Sequence, residues 1–135
     1  MADETREEAN PAETHGKAPV YNQKITLAEA LAKLPGSKGE RFATVLEYGG
    51  LLVEIYAPRG RDPQTPHTRD EAYIVMQGSG EFLNGTERHR IGAGDFLFVP
   101  AGVKHRFENF TDDLVLWVIF CGPEGGEALA ASDKK

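Results

Sequence analysis

The sequence predicts an all-β domain, a sandwich or barrel built from short antiparallel strands. Three observations carry this. Short apolar or alternating stretches recur at even spacing between residues 42 and 120. Turn residues close them: Gly49-Gly50, Gly78-Ser79-Gly80, Asn84-Gly85 and Pro100-Ala101-Gly102. Strand-forming text bounded by such residues reads as hairpins, and many short hairpins read as a sandwich or barrel. Helical spacing shows clearly in one place, Thr26 to Leu34.

The chain has 135 residues and a net charge of -6, enough for one domain with a real core. Residues 1–19 are rich in Asp and Glu and poor in large apolar side chains. They bury too little to offset the entropy of ordering, so an acidic disordered tail is expected, with His15 a solvated residue of that tail. Residues 20–41 form an N-terminal extension with one short helix. Thr26-Leu27-Ala28-Glu29 is a capping box, in which Thr26 caps and Glu29 reaches back. Leu27, Leu31 and Leu34 then share a face, and Pro35-Gly36 ends the run.

The β domain is expected over residues 42–122. Phe42–Tyr48 and Leu51–Ala57 pair across Gly49-Gly50, with Leu52, Glu54 and Tyr56 on one face and Leu51, Val53 and Ile55 on the other. The loop 58–66 carries Arg59 and Arg61 and suits the mouth of a pocket, where the arginines would attract an anion or simply be solvated. Glu71–Gln77 is a strand, Glu81–Leu83 and Arg88–Ile91 a hairpin, and His89 an exposed residue of the return arm. Phe96–Val99 is apolar throughout and reads as a strand buried on both faces. Leu114–Phe120 is seven apolar residues in a row, so its outer face is expected to meet a second sheet or a second subunit. A homodimer is the expectation. Residues 123–135 are a polar, alanine-rich tail, frayed or briefly helical.

Several classes are excluded or disfavoured by composition. The acidic balance lacks the basic footprint of nucleic-acid binding, and a DNA-binding helix pair has no room in this length. Neither a phosphate-binding glycine loop nor an apolar run of membrane-spanning length is present. The acidic start is unlike a signal peptide, and the single Cys121 excludes an internal disulfide framework. A cytoplasmic protein is the expectation.

The chemistry concentrates between Thr65 and Asn109. His67 and Glu71 precede the strand toward Gly78, and His105 begins the strand after Pro100-Ala101-Gly102. His105, Phe107 and Asn109 have one parity and are expected on one face. Two neutral imidazoles and one carboxylate suit a borderline divalent metal and are the ligand set of mononuclear non-haem iron sites.

These residues resemble the cupin superfamily. Gly94, Pro100, Gly102, His105 and Asn109 match every position of its second motif, and His67, Glu71 and Gly78 match three of four positions of its first. Where the first histidine belongs, this chain has Thr65. A hydroxyl binds metal weakly, and Gln64 offers a carbonyl oxygen one position earlier. The resemblance covers about residues 42–122 and implies a double-stranded β-helix, that is, a jelly-roll barrel. It implies one divalent ion, Fe, Mn, Ni or Zn, held by His67, Glu71 and His105, with Gln64, Thr65 or else water or substrate in the remaining places; the alternative is a decayed pocket in which the three residues form a hydrogen-bonded cluster without metal. Tyr73, Phe107, Glu54 and Tyr56 are the candidate pocket residues. Two His and one carboxylate favour dioxygenase-type chemistry on a small organic molecule, with isomerisation or decarboxylation next. The alternative is a non-catalytic module that binds a small molecule or a metal.

Overall fold

The computed structural model describes residues 23–128. The expected acidic tail, and the last part of the C-terminal tail, lie outside those residues. The order is α1 (Leu27–Leu31), β1 (Phe42–Tyr48), β2 (Leu51–Tyr56), β3 (Asp70–Gln77), β4 (Ser79–Asn84), β5 (Glu87–Gly92), β6 (Phe96–Val99), β7 (His105–Glu108) and β8 (Val115–Cys121). The strands form a five-stranded sheet in the order β1-β2-β8-β3-β6 and a three-stranded sheet in the order β5-β4-β7. All the pairings are antiparallel. This is the expected jelly roll. Among the described residues, no helix is long and apolar enough to cross a membrane.

Strand alternation divides the side chains into two layers. Tyr56, Tyr73, Val75, Phe82, Ile91, Val99, Phe107, Leu114, Leu116 and Val118 fill the space between the sheets. Tyr73, Phe82 and Phe107 form a tilted and edge-to-face cluster, with ring centroids 4.7 to 5.7 Å apart, the arrangement that aromatic quadrupoles favour. The outer face of the larger sheet holds the second cluster. Here Ala30, Ile55, Ala57 and Val115 are buried, with Ile25, Leu27, Leu31, Leu34, Met76 and Trp117 packed against them.

Helix α1 therefore explains much of the apolar outer face of β8. Its start is the capping box foreseen above: Glu29 N donates to Thr26 Oγ1 at 3.1 Å and Thr26 N to Glu29 Oε1 at 2.8 Å. Such a cap contributes about 1 kcal/mol, which matters for a helix of 5 residues that would not form alone.

Three expectations need correction. Strand β6 is not buried on both faces: Phe96 and Phe98 are 64% and 49% exposed, because β6 is the edge of its sheet and α1 covers the other end. The strand after Gly78 begins at Ser79 rather than Glu81, so only Gly78 breaks the run. Asn109 does not share the inner face of β7. The strand ends at Glu108, and Asn109 takes a φ of 49° and donates from Nδ2 to Glu81 Oε1 at 3.0 Å.

Gly78 is fixed by sterics as well as by its backbone angle. Its φ is 86°, and a Cβ there would lie 2.6 Å from Leu114 Cα and 2.8 Å from Leu114 N, both backbone atoms. Replacing Gly78 with Ala is expected to destabilise the fold by at least about 2 kcal/mol, read as a shift in the urea midpoint. An unchanged midpoint would mean that the turn adapts freely.

Candidate metal centre

Glu71 and His105 are among the most buried polar residues, at 1% and 2% exposure. Glu71 is the second residue of β3 and pairs with Phe120 of β8 and Val99 of β6. His105 is the first residue of β7, three positions after Gly102, which takes a φ of 83°. His67 enters from the loop before β3. Its carbonyl accepts from Gly102 N at 2.7 Å, so the two motif segments are tied through backbone.

The donor atoms of the three residues all lie within 4.8 Å of one another. His105 Nε2 is 3.1 Å from Glu71 Oε1, and His67 Nε2 is 3.5 Å from the same oxygen. Neither Glu71 Oε1 nor His105 Nε2 has a hydrogen-bond partner, although both are buried. The tautomer of His105 sharpens this. Its Nδ1 lies 2.9 Å from the carbonyl of Val103, an acceptor, so Nδ1 carries a proton; in the neutral ring Nε2 then turns a lone pair toward Glu71, and in the protonated ring it turns a donor there. With the ring neutral, two acceptors facing each other in a dry interior cost about 1–3 kcal/mol for each unsatisfied atom. A cation between them removes that cost, and the donor set fits a divalent metal.

Gln64 completes the cluster. Its Nε2 donates to Asp62 Oδ2 at 2.7 Å, which turns Oε1 the other way. That oxygen accepts from Tyr73 Oη at 2.8 Å and lies 3.3 Å from His67 Nε2. Thr65 lines the cavity and is exposed. Of the two candidates for the missing histidine, Gln64 thus brings an oxygen to the cluster.

Two aspartates that the sequence reading passed over hold these parts in place. Asp62, 5% exposed, accepts from the Tyr56 hydroxyl at Oδ1, and from Gln64 Nε2 and Phe107 N, the latter at 2.8 Å, at Oδ2. Asp70 accepts from Ala101 N at Oδ1 and from Glu127 N at Oδ2, both at 2.9 Å. Gly125 N also donates to Thr68 O at 2.6 Å. The C-terminal segment is thereby fastened to the loop that carries His67. Aspartates in or beside a polar loop have no spacing signal, so only the fold reveals them.

The cluster lies against a cavity of about 640 Å³. Glu54, Tyr56, Gln64, Thr65, His67, Glu71, Tyr73, Val118 and Phe120 line it, with Arg41, Arg59 and Arg61 at the same space. Of the four candidate pocket residues, Glu54, Tyr56 and Tyr73 line this cavity, while Phe107 packs against Tyr73 in the core.

Burial sets the electrostatics. It lowers the pKa of His67, against the pull of Glu71, which keeps that imidazole neutral and free to bind metal. For His105 burial also acts downward, but the Glu71 carboxylate and the Val103 carbonyl together carry it above the usual value. Desolvation raises Tyr56 and Tyr73 well above the ordinary phenol range, so both hydroxyls stay protonated donors. Glu54 is raised by burial first and by Glu71 second.

The Cupin domain family pattern matches residues 52–121. The uncharacterised protein SCO3923 of Streptomyces coelicolor is 40% identical over 63 residues, 47% of this chain and 60% of that one. The dimethylsulfoniopropionate lyase DddQ of Ruegeria pomeroyi is 35% identical over 68 residues, 47% of this chain and 34% of the lyase. The matches thus span about half the length of such curated relatives. Among solved structures, NMB1881 of Neisseria meningitidis superposes with a TM-score of 0.60 at 17% identity, covering 74% of this chain and all of that one. The cupin domain of Schizosaccharomyces pombe Cnp3 gives 0.56 at 14% identity, covering 69% of each. These two likenesses concern the fold.

The raised pKa of Glu54 has a consequence for stability. The native state binds that proton more readily than the unfolded chain, so the carboxylate weakens the fold increasingly as pH rises through its native pKa. Glu54→Gln is therefore expected to be more stable than the parent near neutral pH, with the gain vanishing once pH falls below the carboxylate range. Urea unfolding at both pH values reads this. A gain independent of pH would mean that ionisation is not its source.

Proposed function

The chain belongs to the cupin family, and we propose that it is a metal-dependent enzyme acting on a small organic molecule. The observation that carries this is the pair of buried, unpartnered atoms, Glu71 Oε1 and His105 Nε2, beside a cavity of small-molecule size. His67, Glu71 and His105 would hold one divalent ion, Fe, Mn, Ni or Zn, with Gln64 Oε1 as the fourth donor. Such an ion supplies Lewis-acid polarisation and, for a redox metal, reactivity toward dioxygen.

The protein's own residues supply the rest. Val118 and Phe120 make part of the cavity wall apolar, with the Phe120 ring edge-on to His67. Tyr73, whose hydroxyl is already spent on Gln64, holds that amide in the orientation a metal needs. Dioxygenase-type chemistry follows from the two-His, one-carboxylate set. Glu54 favours a second reading, Lewis-acid isomerisation, decarboxylation or another proton-transfer reaction. It is a cavity carboxylate with a raised pKa, the property a general acid or base requires. The lyase name of the Ruegeria relative lends support to that class.

Elemental analysis of untagged protein is expected to find close to one equivalent of a transition metal, lost in His105→Ala with circular dichroism unchanged. Full metal content in that variant would end the ligand assignment. Metal-free protein that takes up none on addition would leave a binding module as the better reading.

For the partner we propose a second copy of this chain. Phe96 and Phe98 stand beside Ile74 and Ala72 on the outer face of the larger sheet, beyond the reach of α1, and a twofold axis lets such a patch cover itself. Light scattering is expected to report a dimer at micromolar concentration, and Phe96→Asp a monomer. A parent protein that is already monomeric would refute it.

A further inference from the structure

The rim of the cavity carries three arginines against one carboxylate, Glu40, and none of the four is ion-paired among the described residues. Arg41, Arg59 and Arg61 all line it. Arg41 Nε donates to the Ala57 carbonyl at 2.8 Å, and Ala57 N donates back to Arg41 O at 2.9 Å. The guanidinium is thus pinned with its Nη edge unused. Arg59-Gly60-Arg61 is a tight turn in which Arg61 N donates to Arg59 O at 2.8 Å and Gly60 takes a φ of 76°. The turn fixes the backbone from which two more guanidiniums project.

Among the described residues, no carboxylate comes within ion-pairing distance of these three arginines; the salt bridges fall elsewhere. The Glu40 carboxylate, also at the rim, is engaged by Lys38 N at 3.1 Å. Burial lowers the Arg41 pKa and the charge of Arg59 lowers it further, the mark of two cations held close without an anion. Glu54 and Glu71 line the same cavity but form no ion pair with any of the three arginines.

We propose that the cavity binds a small organic carboxylate, its charged end on Arg41 and Arg59 and its uncharged part passing Phe42, Val118 and Phe120 toward His67. A guanidinium edge matches a planar carboxylate through two parallel N–H donors. The rim offers no lysine and no helix N-terminus, the features that phosphate sites commonly add. The idea rests on the cavity being the reaction site proposed above, but it does not depend on the metal.

The test uses the full chain, with and without added Zn, titrated by NMR with three four-carbon probes: butyrate, butyramide and butyl phosphate. Butyrate is expected to bind saturably, at least about tenfold tighter than butyramide, given the strength of charged hydrogen bonds. Arg41→Gln is expected to weaken butyrate about tenfold and leave metal content unchanged. Arg59→Gln, an exposed position, gives the same reading where the Arg41 variant does not fold. Equal affinity for butyrate and butyramide, no saturable butyrate binding, or unchanged affinity in the folded arginine variants overturns the proposal. Preference for butyl phosphate overturns the carboxylate assignment. Butyrate binding that persists in His105→Ala supports the anion site even where metal is lost, so the two readings fail separately.

Discussion

The Glu71 carboxylate, set in the barrel interior against two imidazoles, is the constraint that the rest of the site answers to. A carboxylate at 1% exposure is costly unless it is paired or bound to a metal. Here its Oε1 faces His105 Nε2 and His67 Nε2 at 3.1 and 3.5 Å, and the proton of His105 is committed to the Val103 carbonyl. The site is therefore a set of possible metal donors converging on one point, with His67 Nε2 also within hydrogen-bond reach of Gln64 Oε1.

Rigidity around that point comes from outside the ligand set. Asp62 links Tyr56 of β2, Gln64 of the mouth loop and the Phe107 amide of β7. Asp70 links the start of β3 to the turn after β6 and to the C-terminal segment. Each carboxylate is buried and spends both oxygens on donors from other elements, so neither is an unpaired charge. Together they hold Gln64 and the His67 loop, the two parts of the site that do not sit on strands. Metal affinity depends on such supporting bonds nearly as much as on the ligands.

The two layers of the larger sheet divide the labour. Its inner face carries Glu54, Tyr56, Glu71 and Tyr73, which look into the cavity or onto its floor. Its outer face is apolar and is covered at one end by α1, leaving Phe96 and Phe98 open at the other. An acidic floor, an apolar wall and a rim of three arginines then lie along a single cavity.

Much of this was legible in the chain itself. Strand positions, the capping box and the glycine turns follow from local rules, because a hairpin turn or a helix start is decided by a few adjacent residues. His67, Glu71 and His105 were legible because their spacing to Gly78, Gly94, Pro100 and Gly102 is fixed by turns. Tertiary structure alone decided the rest. It placed β6 at a sheet edge, which exposed Phe96 and Phe98 despite an apolar run that reads as buried. It turned Gln64, and not Thr65, toward the histidines, since the direction of that amide is set by Asp62, a bond to a residue with no motif. It also gathered Arg41 and Arg59, 18 positions apart, with His67 and Glu71 around one cavity. The physical reason is common to all three: which strand lies at an edge, and which side chains meet across a cavity, depend on contacts between distant segments, and local spacing carries no record of them.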